Sequence, residues 1–281
     1  MKKILLLSTF LIFACSGGDD KNSLTELNLK GKVESVYTTS FTATEKFGEV
    51  TKDDWEENEK QKFDDKGNEI ESVSYVKWVV RKGKGLRWNW KYKYDDKGNR
   101  IEVIDYDDDG ELDWKWKYKF DDKGNQIEGA SYDKDGELRW KYKYKYDDKG
   151  NRIESATYDV YGELMGKSKF KYDDKGNQIE WAYYDKDGEL DEKYKYKFDD
   201  KGNQIEEAYY KIDGELDRKS KFKYDDKGNQ IEWAYYDKDG ELDYTEIYEL
   251  EYDSKGNWIK KITYKDDKPT FISEREIEYY N

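Results

Sequence analysis

Hydrophobic and charged residues alternate over most of the chain. In residues 114–120 (WKWKYKF), aromatic residues take every second position and lysines take the positions between them. A period of two with aromatic residues is typical of a β-strand that has one covered face, and no helical period competes with it. We therefore predict that this segment and those like it are strands with one aromatic face and one charged face.

Two glycine-containing turns interrupt the alternation with a fixed period of 26 residues. The turn DDKGN recurs with its glycine at Gly98, Gly124, Gly150, Gly176, Gly202 and Gly228, and the turn DGEL or YGEL recurs with its glycine at Gly110, Gly136, Gly162, Gly188, Gly214 and Gly240. In both turns the leading aspartate accepts hydrogen bonds from the turn amides, and the glycine adopts a left-handed conformation. A fixed period of this size indicates one long repeat array rather than two domains.

Each repeat predicts two antiparallel strands, and the chain as a whole predicts a meander of about sixteen strands. No other part of the chain is long enough to cover the aromatic face, and open sheets of this width usually curl. We expect an all-β protein in which 26-residue hairpin repeats curl into a shell or barrel-like sheet around the aromatic side chains. A parallel β-solenoid with one repeat in each coil is the alternative.

The repeats also predict a strand register. A four-residue loop in the DDKGN turn places Trp116 opposite Gly129, so that a large side chain faces a small one. The same register places Glu128 between Lys117 and Lys141 on the charged face. We expect a ladder of exposed Lys–Glu pairs, each of which contributes little to stability.

The flanks of the array depart from the repeat. The chain divides into a signal peptide (1–14), a lipidated cysteine with its tether (15–30), an N-terminal cap (31–62), the hairpin array (63–252) and a C-terminal cap (253–281). Terminal units of repeat arrays are usually atypical because they close the end of the core. Residues 31–49 predict one or two strands, residues 51–62 a short helix or an irregular cap, and residues 76–85 a longer loop.

The first fifteen residues (MKKILLLSTFLIFAC) contain two lysines, an apolar run and the only cysteine, Cys15. The run is too short to span a bilayer but is typical of a secretory signal. Residues 12–15 (IFAC) resemble the bacterial lipobox, which implies cleavage before Cys15 and attachment of lipid such as palmitate to its thiol. Cys15 would then be a membrane anchor and not a catalyst. The alternative is a plain signal peptide with an incidental cysteine.

Two acidic residues, Asp19 and Asp20, follow Cys15 after a short glycine-containing tether. They resemble the export signal of surface lipoproteins in Bacteroidetes-type bacteria, although the same residues also serve as an ordinary linker. We expect a bacterial outer-membrane location, with the protein lipid-anchored and exposed on the cell surface.

Composition excludes several classes of function. The net charge of −14 disfavours binding to nucleic acid. The chain has no histidine, which removes the commonest general base and metal ligand. Residues 107–111 (DDDGE) are similar to calcium loops, but the position that would supply the distal acidic ligand carries Trp116, and a hairpin turn explains the same residues. We expect no catalytic residue, no metal site and no cofactor.

The tryptophans break the repeat most clearly. Five of them cluster towards the N-terminal end of the array: Trp88, Trp90, Trp114, Trp116 and Trp140. An exposed platform of this kind could stack on sugar rings or anchor a protein partner. The alternative is that these side chains fill a wider part of the core, and the predicted pairing of Trp116 with Gly129 favours it.

Residues 146–153 (YDDKGNRI) resemble the YD repeat of Rhs and insecticidal-toxin shell proteins, and the resemblance extends over residues 60–260. It implies a β-sheet wound into a shell. Those shells are far larger and enclose a toxin domain that this chain lacks. The presence of two such turns in each repeat is also similar to MORN-type hairpin repeats, which occur in some antitoxin-like proteins.

The function that follows is a non-catalytic binding or structural protein on the bacterial surface. Its partners would be the membrane, through lipid on Cys15, and a protein or a glycan. Two alternatives remain open at this point. One is a toxin-immunity or antitoxin-like repeat protein, and the other is a carbohydrate-binding accessory lipoprotein that uses the tryptophans.

Overall fold

The computed structural model describes residues 22–77 and 84–281, which form a closed antiparallel β-barrel of 18 strands with one short helix before it. The helix α1 is Ser23–Glu26. The strands are β1 (Val33–Lys46), β2 (Glu49–Phe63), β3 (Glu69–Lys77), β4 (Lys84–Tyr94), β5 (Arg100–Tyr106), β6 (Leu112–Phe120), β7 (Gln126–Asp133), β8 (Leu138–Tyr146), β9 (Arg152–Tyr158), β10 (Leu164–Tyr172), β11 (Gln178–Asp185), β12 (Leu190–Phe198), β13 (Gln204–Tyr210), β14 (Leu216–Tyr224), β15 (Gln230–Tyr236), β16 (Leu242–Tyr252), β17 (Trp258–Lys265) and β18 (Lys268–Tyr279).

Every strand pairs with the next one along the chain, and the last strand returns to the first. The closing pair β1–β18 is antiparallel, with Val36 opposite Ile277 and Thr38 opposite Arg275. The predicted hairpin meander and its curl are therefore confirmed, and the parallel solenoid is wrong. The estimate of about sixteen strands was too low, because the flanks of the array also form strands.

The predicted caps are part of this sheet. Residues 31–62 contain β1 and nearly all of β2, and residues 253–281 contain β17 and β18. The prediction of a short helix or an irregular cap for residues 51–62 is wrong, because these residues lie within β2. Part of the predicted 76–85 loop, the signal peptide and Cys15 lie outside the described residues.

The DDKGN turn forms as its residues predict. In the turn between β6 and β7, Gly124 N–H donates to the carbonyl of Asp121 over 3.1 Å, and Asp121 N–H donates to the carbonyl of Asn125 over 2.9 Å. The carboxylate of Asp121 accepts from the amides of Lys123 and Asn125. Gly124 has a φ of +85°, in the left-handed region that glycine adopts without steric cost.

The predicted register was wrong by two residues. Trp116 lies opposite Ser131, and Gly129 lies between Tyr118 and Tyr142. The turn is closed by a fifth residue, Asn125, and a β-bulge follows it between β6 and β7. A shift of two residues keeps each side chain on its predicted face, because the side chains of a strand alternate with a period of two.

One face of the sheet is charged. Glu128 lies opposite Lys119 and Lys143, so the predicted ladder exists in the shifted register. The repeated ion pairs have N–O distances of 2.7–2.8 Å: Lys93–Glu102, Lys119–Glu128, Lys145–Glu154, Lys171–Glu180, Lys197–Glu206 and Lys223–Glu232. The lysine side chains of this face remain largely exposed, as the 71% exposure of Lys119 illustrates.

The aromatic face is the inner wall of the barrel. Burial raises the pKa of Tyr118 and Tyr144 to about 12, whereas the lysines of the charged face stay in water. Strong desolvation of one face of a curved sheet identifies the concave side, where side chains crowd together. An 18-stranded barrel is wide enough to leave a central lumen even when aromatic side chains point inwards.

The segment before β1 lies across one end of the barrel. Asn22 caps α1 and donates to the carbonyl of Lys66 in the β2–β3 turn over 2.7 Å. Asn28 donates to the carbonyl of Lys227 in the β14–β15 turn over 3.1 Å. A small apolar core forms beneath this segment from Leu24, Leu29, Val33, Val36 and Phe63.

Candidate binding surface on the inner wall

The five tryptophans singled out in the sequence lie together on the inner wall, on the alternate strands β4, β6 and β8. We call them the tryptophan cluster: Trp88, Trp90, Trp114, Trp116 and Trp140. The strands between them supply smaller side chains, since Trp116 faces Val103 on one side and Ser131 on the other. Alternation of large and small partners lets the rings approach one another across the sheet.

The rings of the cluster on β4 and on β6 are paired along their strand. Trp88 and Trp90 stack with ring centroids 5.7 Å apart, and Trp114 and Trp116 stack at 6.3 Å. Trp88 donates its indole N–H to the hydroxyl of Ser72 over 3.0 Å. Most of the cluster is half-buried, and Trp140 is 38% exposed. The cluster is therefore neither a sealed core nor a flat outer platform, but part of a wall that is open to the lumen.

A second aromatic band lies further round the barrel, on β11–β13. Trp181 contacts Tyr183 at 6.4 Å and Tyr194 at 5.4 Å, and Tyr194 contacts Tyr209 at 4.9 Å. The guanidinium of Arg218 lies over the ring of Tyr209 at 4.2 Å. The aromatic surface thus continues well beyond the tryptophan cluster.

A third group of rings is formed by Trp233, Tyr235 and Tyr244 on β15 and β16, with Tyr235 and Tyr244 stacked at 5.2 Å. Sequence reasoning missed the second and third groups because it followed the tryptophan columns of single strands. After the third full repeat, the bulky member of each cross-strand pair lies on the neighbouring strand. A comparison of residues paired across strands would therefore have predicted the second and third groups.

Charged residues interrupt the inner wall at a few places. Burial raises the pKa of Glu207, which faces Tyr196 and Ser220. Burial also raises the pKa of Glu69, although Gln61 donates a hydrogen bond to its carboxylate over 2.9 Å. These carboxyls are desolvated, in contrast to Glu128 on the outer face, where the hydrogen bond from Lys119 lowers the pKa.

The acidic DGEL turns are hydrogen-bonded internally. Asp107 accepts from the amides of Asp109 and Glu111 at 3.0 and 2.9 Å through one carboxylate oxygen. This geometry is the hairpin turn that the sequence predicts for residues 107–111. Within residues 22–77 and 84–281, no group of three or more histidine, cysteine, aspartate or glutamate side chains is arranged to hold a metal ion.

The predicted lipid-bearing residue Cys15 lies outside the described part of the chain. Among the helices that the structure does describe, none is long and apolar enough to cross a membrane.

Comparison with known proteins yields structural neighbours only. No protein-family model matches the chain, and no curated protein matches its sequence. A porin-like protein from Bacteroides uniformis is similar with a TM-score of 0.47 and 9% identity, over 89% of this chain and 99% of that chain. A porin-like protein from Bacteroides vulgatus is similar with a TM-score of 0.32 and 10% identity, over 85% and 98% of the two chains.

Toxin chains form a second group of neighbours. A chain of the Photorhabdus luminescens Tc holotoxin pore is similar with a TM-score of 0.30 and 11% identity. The similarity covers 78% of this chain but 14% of the toxin chain. None of these similarities identifies a function.

Proposed function

We propose that the protein is a non-catalytic binding protein, anchored to the bacterial outer membrane by lipid on Cys15, that receives its ligand on the aromatic inner wall of a water-exposed barrel. The observation that supports this most strongly is the state of the inner wall. Its aromatic rings lie on the concave side of the barrel, yet most are only half-buried. Aromatic surface left open to solvent in a lumen is available for a ligand.

The outer face supports an anchor rather than a membrane-spanning barrel. A membrane-spanning β-barrel presents to lipid an apolar band about 25 Å tall. Here lysines and glutamates occupy the outer face at every repeat, for example Lys145 with Glu154, and the Lys145 side chain is 67% exposed. Such a surface is stable in water and costly in lipid, so attachment to the membrane falls to Cys15.

The anchor is tested by expressing the chain in bacteria that are fed a labelled palmitate analogue. We expect the label in the wild type and in a Ser16→Ala control, with both proteins in the membrane fraction. A Cys15→Ser variant should lose the label and leave that fraction. Unchanged membrane association of the Cys15→Ser variant would contradict the proposed anchor.

Carbohydrate binding is the second candidate function, and the stacked tryptophan pairs favour it. Stacked rings along a strand, such as Trp114 and Trp116 with an interplanar angle of 27°, form a continuous aromatic surface on the inner wall. Sugar rings stack their C–H faces on surfaces of this kind, and aromatic residues dominate binding energetics.

A glycan array of the purified protein tests this candidate. We expect binding that is lost in Trp88→Ala and Trp114→Ala but kept in Tyr132→Ala, which changes an aromatic residue on the lysine-bearing outer face. An array on which the wild type binds nothing, or equal binding by the tryptophan variants, would contradict carbohydrate binding at this cluster.

A further inference from the structure

Two cationic side chains share one indole ring on the inner wall of β17 and β18. The guanidinium of Arg275 lies 3.5 Å from the ring centre of Trp258, and the ammonium of Lys261 lies 5.2 Å from the same centre. Lys261 faces Ser273 across the strand pair, so Arg275 is its diagonal neighbour on the same face. Like charges placed this close repel one another unless an anion joins them.

Neither cation has a carboxylate partner. Within residues 22–77 and 84–281, no hydrogen bond or ion pair to the side chain of Lys261 or Arg275 is present, and the Nε of Arg275 is shielded from water without an acceptor. Glu59 acts on Arg275 and Glu246 acts on Lys261 only through longer-range electrostatics. A half-buried cation without an ionic partner is costly and requires an explanation.

Desolvation of the pair agrees with this geometry. Burial lowers the pKa of Arg275 to about 10. Burial, together with the charge of Arg275, lowers the pKa of Lys261. The adjacent outer-face residue Lys260 is instead paired with Glu251 at 2.7 Å. On the same strand, the outward lysine therefore has an ionic partner and the inward lysine has none.

We propose that Lys261 and Arg275 form a binding site for an oxyanion, a carboxylate or phosphate group of a ligand in the lumen. A guanidinium stacked on a ring keeps its N–H donors in the plane, and this edge matches the two oxygens of a carboxylate or phosphate. The Lys261 ammonium adds a second positive charge beside that edge. An oxyanion would neutralise both cations and accept from the guanidinium N–H groups that are not enclosed.

The site is distinct from the tryptophan cluster and does not depend on carbohydrate binding. Direct strand partners connect Arg275 with Thr38, Thr38 with Glu59, Glu59 with Ser74, and Ser74 with Trp88. Four strand spacings along this row amount to roughly 19 Å of wall. Oxyanion binding and ring stacking are therefore separate subsites at one level of the barrel.

Titration of the purified protein with sodium acetate and with inorganic phosphate tests the site, with calorimetry as the readout. We expect at least one of the two anions to bind the wild type and the Lys260→Met control equally. Removal of either cation, in Lys261→Met or Arg275→Gln, should weaken binding by roughly tenfold or more. Acetate as the better probe would indicate a carboxylate-bearing ligand, and phosphate as the better probe a phosphate-bearing one.

Thermal unfolding shows whether each variant is folded and gives a second measure of anion binding. Each anion that binds should raise the midpoint of unfolding of the wild type with increasing concentration, and should not raise that of the double variant Lys261→Met/Arg275→Gln. Without anion, that double variant should be at least as stable as the wild type, because two uncompensated charges are removed. No response of the wild type to either anion, or an equal response of the double variant, would overturn the proposal. Trp114→Ala should keep the full anion response, whatever the glycan array shows.

Discussion

At the scale of single residues, the turn aspartates were the most predictable feature of the chain. Asp147 accepts from the amides of Lys149 at 3.0 Å and Asn151 at 2.8 Å, and also from the Asn151 side chain at 2.9 Å. The sequence predicted the amide bonds because an aspartate that opens a turn ending in glycine has few other partners. It did not predict the bond from the asparagine side chain, which follows from the fifth residue that closes the turn.

Replacement of Asp147 by alanine should lower the midpoint of thermal unfolding, because three hydrogen-bond donors of the turn lose their acceptor. The matched control is Asp148→Ala, since Asp148 is exposed and none of these turn hydrogen bonds uses its carboxylate. Circular dichroism melts of the two variants make the comparison. Equal midpoints for the two variants would show that the turn does not depend on the leading aspartate.

The effect of Asp147 should depend on pH. The hydrogen bond from Asn151 holds the pKa of Asp147 below its ordinary value of 3.8. A carboxyl with a depressed pKa in the folded state contributes stability that is complete above about pH 4 and disappears as the pH falls through the folded pKa. The free energies of unfolding of the wild type and Asp147→Ala, measured with denaturant, should therefore differ by a constant amount above pH 4. Below pH 4 the two free energies should converge. A difference that grows on acidification would contradict this assignment.

At the scale of elements, strand periodicity predicted which side chains share a face of each repeat strand. It did not predict which residues of neighbouring strands lie opposite one another. The register shifted by two residues because a bulge after each turn adds a residue that the repeat alone does not reveal. The cross-strand environment of a small residue such as Gly166 therefore had to come from the structure. Gly166 lies where β10 meets β11, opposite Asp185.

Replacement of Gly166 by alanine should destabilise the protein by about 1–3 kcal/mol, because the new methyl group overpacks the strand pair. Its Cβ would overlap the hydroxyl of Tyr183 and would lie 2.8 Å from the backbone oxygen of Tyr184. Met165→Ala is the control, since Met165 is 40% exposed and its truncation leaves no enclosed cavity. Denaturant unfolding of both variants measures the difference, and a neutral Gly166→Ala would contradict the β10–β11 register.

At the scale of the whole molecule, closure of the barrel was not predictable from the repeat. The closing strands β1 and β18 lie in the flanks, whose residues do not follow the 26-residue pattern. Whether a curled sheet meets its own first strand depends on twist and strand number over the whole chain, which no local pattern encodes. The contribution of this closure to stability can be tested through the apolar core that lies next to it.

Replacement of Phe63 by alanine should cost about 3–5 kcal/mol of unfolding free energy, because a fully enclosed ring leaves a cavity. Phe63 is 1% exposed and packs with Val36 on β1 and with Leu24 and Leu29 of the segment before β1. Phe47→Ala is the matched control, since Phe47 is fully exposed in the β1–β2 turn. Similar losses for the two variants would mean that the core does not support the closure.

The aromatic face is the inner wall of a closed barrel, and we infer that its lumen is open to solvent. The most direct test measures the quenching of tryptophan fluorescence by acrylamide and by the same type of quencher attached to a large polymer. We expect acrylamide to quench a large share of the emission, because it enters the lumen, and the polymer-bound quencher to reach little of it. Equal quenching by both would place the tryptophans on an outer surface, and protection from both would make the inner wall a sealed core; either result would show that the aromatic face does not line an open lumen.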